Sequence, residues 1–301
     1  MIGLSTVWTM KRGASTPQEV LDPILDLGFE AIELEFRITG KLLEGMAPSL
    51  KAGAPRVISV HNFCPVPDIL PSQKAGGDAF NIASLDREER ERAVRYTCRT
   101  LEVAHELEVG AVVLHLGYIE GEELKDAPQR AYREGRWGKE ELQEYLKERS
   151  LKAPPHLDAV FFSLERVLRR AETLGVKVGV ENRYHLSEIP LGEEIGMVLE
   201  EFAGGPIGYW HDTGHAAVAE ALGAIRQKEL LERYGARMIG IHLHDAQGVD
   251  DHLPPGRGGV DFEMVGEFLR EGVLKVMEIH PPATGEEIVG GLQFLREKGI
   301  S

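Results

Sequence analysis

The chain has 301 residues, of which 43% are hydrophobic and 28% charged, a composition that suits one soluble α/β-barrel domain spanning residues 1–301. A formal net charge of −15 makes nucleic acid an unlikely partner, because such binders present a basic face, and here REERERAVR and KEELQEYLKER alternate in sign as solvated helix faces do. No apolar stretch approaches the roughly 18 residues of a membrane span, the start MIGLSTVWTMKRG lacks a signal-peptide layout, and Cys64 and Cys98 give no disulfide framework, so a cytoplasmic location without a membrane partner is expected.

Strand and helix alternate eight times along the chain. Strands are expected near 2–6, 30–36, 57–61, 111–116, 177–181, 207–212, 238–243 and 275–279. Helices are expected near 17–27, 41–51, 86–107, 139–173 (interrupted around Pro154–Pro155), 191–203, 215–234, 261–270 and 284–298. Thr16-Pro17-Gln18-Glu19 carries the N-cap, the first-turn Pro and the Glu of a capping box, and Asp86 with Glu89 repeats the pattern. Eight βα units without a composition break predict a closed (β/α)8 TIM barrel, and no G-x-G-x-x-G follows the first strand to favour a dinucleotide fold.

Six of these runs end in a metal-capable side chain. VISVH ends at His61, AVVLH at His115, KVGVE at Glu181, IGYWHD at Asp212, MIGIH at His242 and KVME at Glu278. Burying one carboxylate or imidazole costs several kcal/mol unless it is paired or bound to a metal. A single case reads as a satisfied core group; six at successive strand ends read as a metal centre at the barrel mouth. Because side chains alternate along a strand, Ser59, Ala111, Val113, Gly179, Gly208, Trp210 and Gly240 share the inward face with these residues. Ile58, Val60, Val112, Leu114, Val178, Val180, Ile239 and Ile241 then face the helices, while AIELEF turns Glu33 and Glu35 inward, Glu33 as a candidate substrate contact.

Two loops extend the set. His215 follows Asp212 by three residues, and Asp250 with His252 lies ahead of PPGRGG. Asn182, Arg183, Tyr184 and His185 follow Glu181 and are candidates to read substrate hydroxyls. His244 and His280 share the inward parity of His242 and Glu278 and are candidates to support those ligands or to touch substrate, Trp8 is a candidate apolar wall, and Arg257 a candidate anion or phosphate contact. His211 should point away from the interior, His105 should be partly exposed, His156 should sit in a connector, and Cys64 should be a buried small hydrophobe. The long stretch NFCPVPDILPSQKAGGDAFNIASL suits a lid over a small substrate.

The strings VHNFCP, HLG, VENR, HDTGHA, HLHD followed by DDHLPPGRGG, and MEIHP resemble the xylose-isomerase-like TIM-barrel superfamily, which includes sugar isomerases and epimerases as well as endonuclease IV. The resemblance spans nearly the whole chain. In the isomerase and epimerase branch it implies one divalent ion on Glu181, Asp212, His242 and Glu278, with His215 touching substrate. In the endonuclease IV branch it implies three ions. His61, His115 and Glu181 match the ligands of one; Glu181, Asp212, His242 and Glu278 those of a second; His215, Asp250 and His252 those of a third.

Two chemistries follow. In the first, an Mn²⁺, Mg²⁺ or Co²⁺ ion polarises the carbonyl of a small sugar, sugar phosphate, polyol or hydroxy-keto acid. Glu181 or Glu278 then removes the neighbouring proton to give a metal-stabilised enediolate. In the second, a Zn²⁺ cluster hydrolyses a phosphodiester at an abasic site. Gly248 stands where keto-sugar epimerases carry an Arg after the HLH strand, and His244 stands where endonuclease IV has an Asn. The isomerase is the reading carried forward, with a small-molecule substrate and homo-oligomer formation among its expected partners; a catalytically silent metal-binding barrel is a third reading.

Overall fold

Ten strands are formed in this computed structural model, which describes residues 1–121 and 124–301. They are β1 (Ile2–Ser5), β2 (Ala31–Leu34), β3 (Arg56–His61), β4 (Ala111–Leu114), β5 (Lys177–Glu181), β6 (Ile207–Asp212), β7 (Met238–Leu243), β8 (Asp245–Gln247), β9 (Asp250–Leu253) and β10 (Leu274–Met277). Eight close into a parallel barrel in the order β1-β10-β7-β6-β5-β4-β3-β2, and β8 and β9 form a separate antiparallel hairpin. This is the (β/α)8 barrel that the alternation predicts.

The barrel separates two apolar layers. Leu4, Ile32, Val60, Val112, Leu114, Val178, Val180 and Ile241 face outward into the main core beneath the helices. Inside, Ala111, Val113, Trp210 and Val276 form a small plug, against which Ile58, Ile239 and Leu274 pack. Alternation had placed Ile58 and Ile239 outward. The register shifts between β2 and β3 and between β6 and β7 leave each of them as an extra residue beside its inward neighbour, as a β-bulge does. Glycines seat the indole: a Cβ at Gly240 would stand 2.1 Å from Trp210 Cζ3, and one at Gly179 2.7 Å from Trp210 Cε3. The plug closes the lower barrel, so the chemistry is confined to the end where the strands finish.

Helix boundaries follow the sequence signals with four departures. Thr16 and Glu19 form the expected capping box. Asp86 caps its helix through Glu88 N, but the Glu89 carboxylate accepts instead from Asn81 N. The helix Lys139–Leu174 runs on through Pro154 and Pro155. Its buried Ala153, Leu157 and Val160 pack into the main core, and His156 Nδ1 meets Ala83 O at 2.7 Å. Tertiary packing thus overrides the local break, and His156 is a buried helical residue rather than part of a connector. The expected helix over 215–234 is two, Thr213–Ala221 and Gln227–Tyr234, parted by Gly223 at φ 77°, a conformation that favours glycine. Short helices at Val7–Met10 and Ala127–Arg133 and the β8–β9 hairpin had no signal in the periodicity. No helix among the described residues is long and apolar enough to cross a membrane.

Candidate metal centre

Glu181, Asp212 and His242 lie at the ends of β5, β6 and β7, and Glu278 follows β10 by one residue. Strand geometry brings the four to one point: one ligand atom from each lies within 4.8 Å of the others. His242 Nδ1 is 2.6 Å from Glu181 Oε1, 3.1 Å from Glu278 Oε2 and 3.5 Å from Asp212 Oδ2. Burial opposes charge on His242, yet Glu33, Glu278 and Glu181 outweigh it and hold the imidazole well above its ordinary range. Burial likewise opposes ionisation of Glu181, while His242, His115 and His61 keep it well below the carboxylate range.

The donor set fits a divalent cation. The buried carboxylates of Glu33, Glu181, Asp212 and Glu278 all surround the His242 ring, a concentration of negative charge that a divalent cation would balance. Three carboxylates and one imidazole make an oxygen-rich set, which suits hard ions of the Mn²⁺ or Mg²⁺ kind.

A supporting layer fixes these four side chains. Glu33 is fully buried, accepts from Ser59 Oγ at 2.7 Å and stands 3.1 Å from His242 Nε2. It therefore holds the far side of the imidazole and leaves Nδ1 for an ion, as carboxylates behind metal-bound histidines do. The expected substrate contact at Glu33 is corrected accordingly, because the His242 ring lies between it and the cavity. Asn182, also expected to touch substrate, is tied to Tyr209 Oη, Asp212 N and Asp212 O. His244 Nε2 rests 2.9 Å from the Asp212 carboxylate. Glu33→Gln keeps the shape but not the charge behind His242. It is expected to weaken divalent-ion affinity by about 10- to 100-fold, as read by competition with a chromogenic chelator; wild-type affinity would remove Glu33 from this role.

Beside this centre, His61, His115 and Glu181 form a second group. His115 Nε2 is 2.8 Å and His61 Nε2 3.7 Å from Glu181 Oε2. The loop after β3 covers it as a lid would. Asp78 bonds His115 Nδ1 at 3.0 Å and Arg183 Nη2 at 2.6 Å, and a Cβ at Gly77 would stand 2.6 Å from His115 Nδ1. Burial and Arg183 act to lower the His115 pKa, but Asp78 and Glu181 prevail and raise it to about 9.

The third expected group is rearranged. His215, His244 and His252 converge, but Asp250 does not join them. Its side chain is 70% exposed and paired with Arg133 at 2.8 Å. Asp251 takes its place, 3.0 Å from His252 Nδ1 and 3.6 Å from His215 Nε2. His252 sits at φ 55° and the β8–β9 register shifts, so alternation breaks here and Asp251, rather than Asp250, shares the inward side with His252.

These groups line one cavity of about 340 Å³, bounded by Lys11, Arg37, His61, His115, Glu181, Arg183, Glu188, His215, Asp251, Glu278 and His280 among others. At ~30 Å³ per water it holds a molecule displacing about ten waters. Two expected contacts lie elsewhere. Trp8 sits in the helix after β1 and donates from Nε1 to Ala283 O at 2.9 Å, and Arg257 is exposed and faces Glu287. His211 points outward to Tyr209 Oη at 2.7 Å. Cys64 is fully buried and its thiol is pushed up by that burial. Lys11, Arg37, Asp78, Glu188 and Asp251 escaped the sequence reading. All lie on loops or beside them, where no period reports side-chain direction; only Asp251, adjacent to a predicted ligand, had a signal.

The sequence model of the family described as xylose isomerase-like TIM barrel matches residues 21–298. A D-tagatose 3-epimerase-like protein has a TM-score of 0.68 at 24% identity, with 99% of this chain and 96% of that chain covered. A 3-keto-D-glucoside 4-epimerase from E. coli has a TM-score of 0.67 at 16% identity, with 98% of each chain covered. At these identities the likeness is one of fold. A Thermus thermophilus protein, TTHB071, in a structure soaked with ZnCl2, has a TM-score of 0.61 at 25% identity, with 99% of this chain and 97% of that one covered. An uncharacterized protein of Methanocaldococcus jannaschii is 30% identical over 196 residues, which is 64% of this chain and 57% of that protein's length.

Proposed function

The chain belongs to the xylose isomerase-like TIM barrel family, and on that premise we propose that it is a divalent-metal-dependent isomerase or epimerase of a small hydroxylated carbonyl compound. The observation that carries this reading is the pairing of Glu181 and Glu278 on the walls of one cavity, with Asp212 and His242 between them. A divalent ion on these four residues supplies Lewis acidity toward a carbonyl oxygen and so acidifies the carbon beside it. The protein's own part is the proton. Glu181 and Glu278 are carried by β5 and by the segment after β10, with β6 and β7 between those strands. Their carboxylates are held ionised by His242, so one removes the proton and the other or a water returns it. Arg183, anchored by Asp78 and Glu188, and His215 bind and orient hydroxyl groups.

A hydrolytic reading, in which a zinc cluster cleaves phosphodiesters, is favoured by the His61–His115–Glu181 group and by the zinc-soaked relative. Against it stand the outward turn of Asp250, the small cavity and the net charge of −15, which disfavours a polyanionic duplex.

The test runs a panel of ketoses, sugar phosphates and hydroxy-keto acids with Mn²⁺ in deuterated water. Mass spectrometry should find deuterium at the carbon beside the carbonyl of one panel member. No wash-in across the panel, together with metal-dependent incision of an abasic-site duplex at physiological salt, would replace the isomerase reading with the hydrolytic one.

A further inference from the structure

Two cationic side chains, contributed by segments after neighbouring barrel strands, stand together at the mouth of the cavity. Lys11 follows the helix after β1, and Arg37 follows β2 by three residues; both line the cavity. Arg37 spends Nη1 on Glu35 at 2.7 Å and lies over the Phe36 ring. Lys11 Nζ lies 2.8 Å from His280 Nδ1. No carboxylate lies within ion-pair distance of Lys11 among the described residues. His280 in turn belongs to one tight group with Glu278 and His252, so a single imidazole bridges Lys11 to the centre. Arg37 acts unfavourably on Lys11 across the cavity, and Glu278, Asp251 and Glu35 act favourably only at a distance, so Lys11 is a partly buried cation without a direct anionic partner, a costly arrangement that a bound anion would relieve. In a chain carrying 49 acidic residues against 34 basic ones, an acid beside Lys11 would have been the ordinary solution.

We propose that Lys11 and Arg37 anchor an oxyanion group, a carboxylate or a phosphate, at the end of a short substrate whose carbonyl end reaches Glu181 and Glu278. The proposal rests on the isomerase reading above and narrows it from neutral sugars to small anionic hydroxycarbonyl compounds. Arg37 offers a planar fork with donors left over from Glu35, and Lys11 offers a point charge, a combination suited to either oxyanion. The short span bridged by His280 favours a three- or four-carbon frame over a hexose lying at full length. Lys11 and Arg37 are specificity-determining residues here, and they leave the proton-moving carboxylates untouched.

Three matched probes test this: dihydroxyacetone, dihydroxyacetone phosphate and hydroxypyruvate, titrated calorimetrically into the metal-loaded protein. The two anionic probes are expected to bind about 10- to 100-fold more tightly than dihydroxyacetone, as charge-assisted hydrogen bonds allow. The tighter of the two identifies phosphate or carboxylate. In Lys11→Met, and again in Arg37→Met, that advantage should fall toward one while metal content stays at the wild-type value. An anionic advantage absent from the wild type, or surviving in both variants, overturns the proposal. If none of the three binds, inorganic phosphate titrated into the metal-free protein decides separately. Phosphate binding lost in Lys11→Met supports the anion site while the isomerase reading fails; no phosphate binding in the wild type overturns the anion site as well.

Discussion

Glu278→Ala is expected to abolish activity and to strip the ion from the central group while leaving the barrel folded. The loss of affinity should exceed the ~10- to 100-fold of an outer-shell change, because a carboxylate ligand itself is removed. Folding should survive for an electrostatic reason. Glu33, Glu181, Asp212 and Glu278 crowd around one His242 ring, and without a cation these carboxylates repel one another. The histidines around them nonetheless favour their ionisation, and in Glu278→Ala the three that remain still hold the His242 ring, so the chelator-treated variant should keep a cooperative transition while melting somewhat lower than chelator-treated wild type. Adding Mn²⁺ at about 100 times its Kd stabilises a one-site protein by ~2.7 kcal/mol. Wild type should therefore gain several degrees, and Glu278→Ala none. Elemental analysis showing wild-type metal stoichiometry in the variant, or an undiminished thermal gain, would remove Glu278 from the ligand set.

The four residues of the candidate centre were legible because they lie at strand ends or one residue beyond. Alternation along KVGVE, IGYWHD and MIGIH assigns Glu181, Asp212 and His242 to one face, and parallel strands must finish at one rim. Legibility failed where the backbone stops alternating. The bulges beside Ile58 and Ile239 leave no mark in composition, so parity placed both side chains on the wrong layer. Asp250 and Asp251 differ by one position, and the choice between them is made by the β8–β9 hairpin, with His252 at φ 55°, rather than by any spacing. Trp8 looked like a cavity wall because it follows β1 closely, but the turn of helix at Val7–Met10 aims it at Ala283. The cations at the mouth show the same limit: Lys11 and Arg37 sit just beyond strands, where only the loop path determines which side chains meet.

Trp210→Ala is expected to be the most destabilising single change, because the floor beneath the metal centre is one fully buried indole. Truncating a buried Trp costs ~3–5 kcal/mol, more where the surroundings cannot collapse. Here the surroundings are Gly179, Gly240, Ala111, Val113 and Val276 on hydrogen-bonded barrel strands, which have little side chain to move into the void. The indole also meets the His242 ring edge to face, with centroids 5.2 Å apart, so its loss frees a ligand and lowers metal affinity as well. The converse change gives the sharper test. Gly240→Ala drives a Cβ to within 2.1 Å of Trp210 Cζ3, an overlap expected to cost ~1–3 kcal/mol or more. In the Trp210→Ala background that clash is gone and the added methyl fills part of the void. Denaturant midpoints of the four proteins should then show strong non-additivity, with the double variant more stable than Trp210→Ala alone. Additive losses would mean that the glycines and the indole do not share one packing unit, and that the barrel floor is held in some other way.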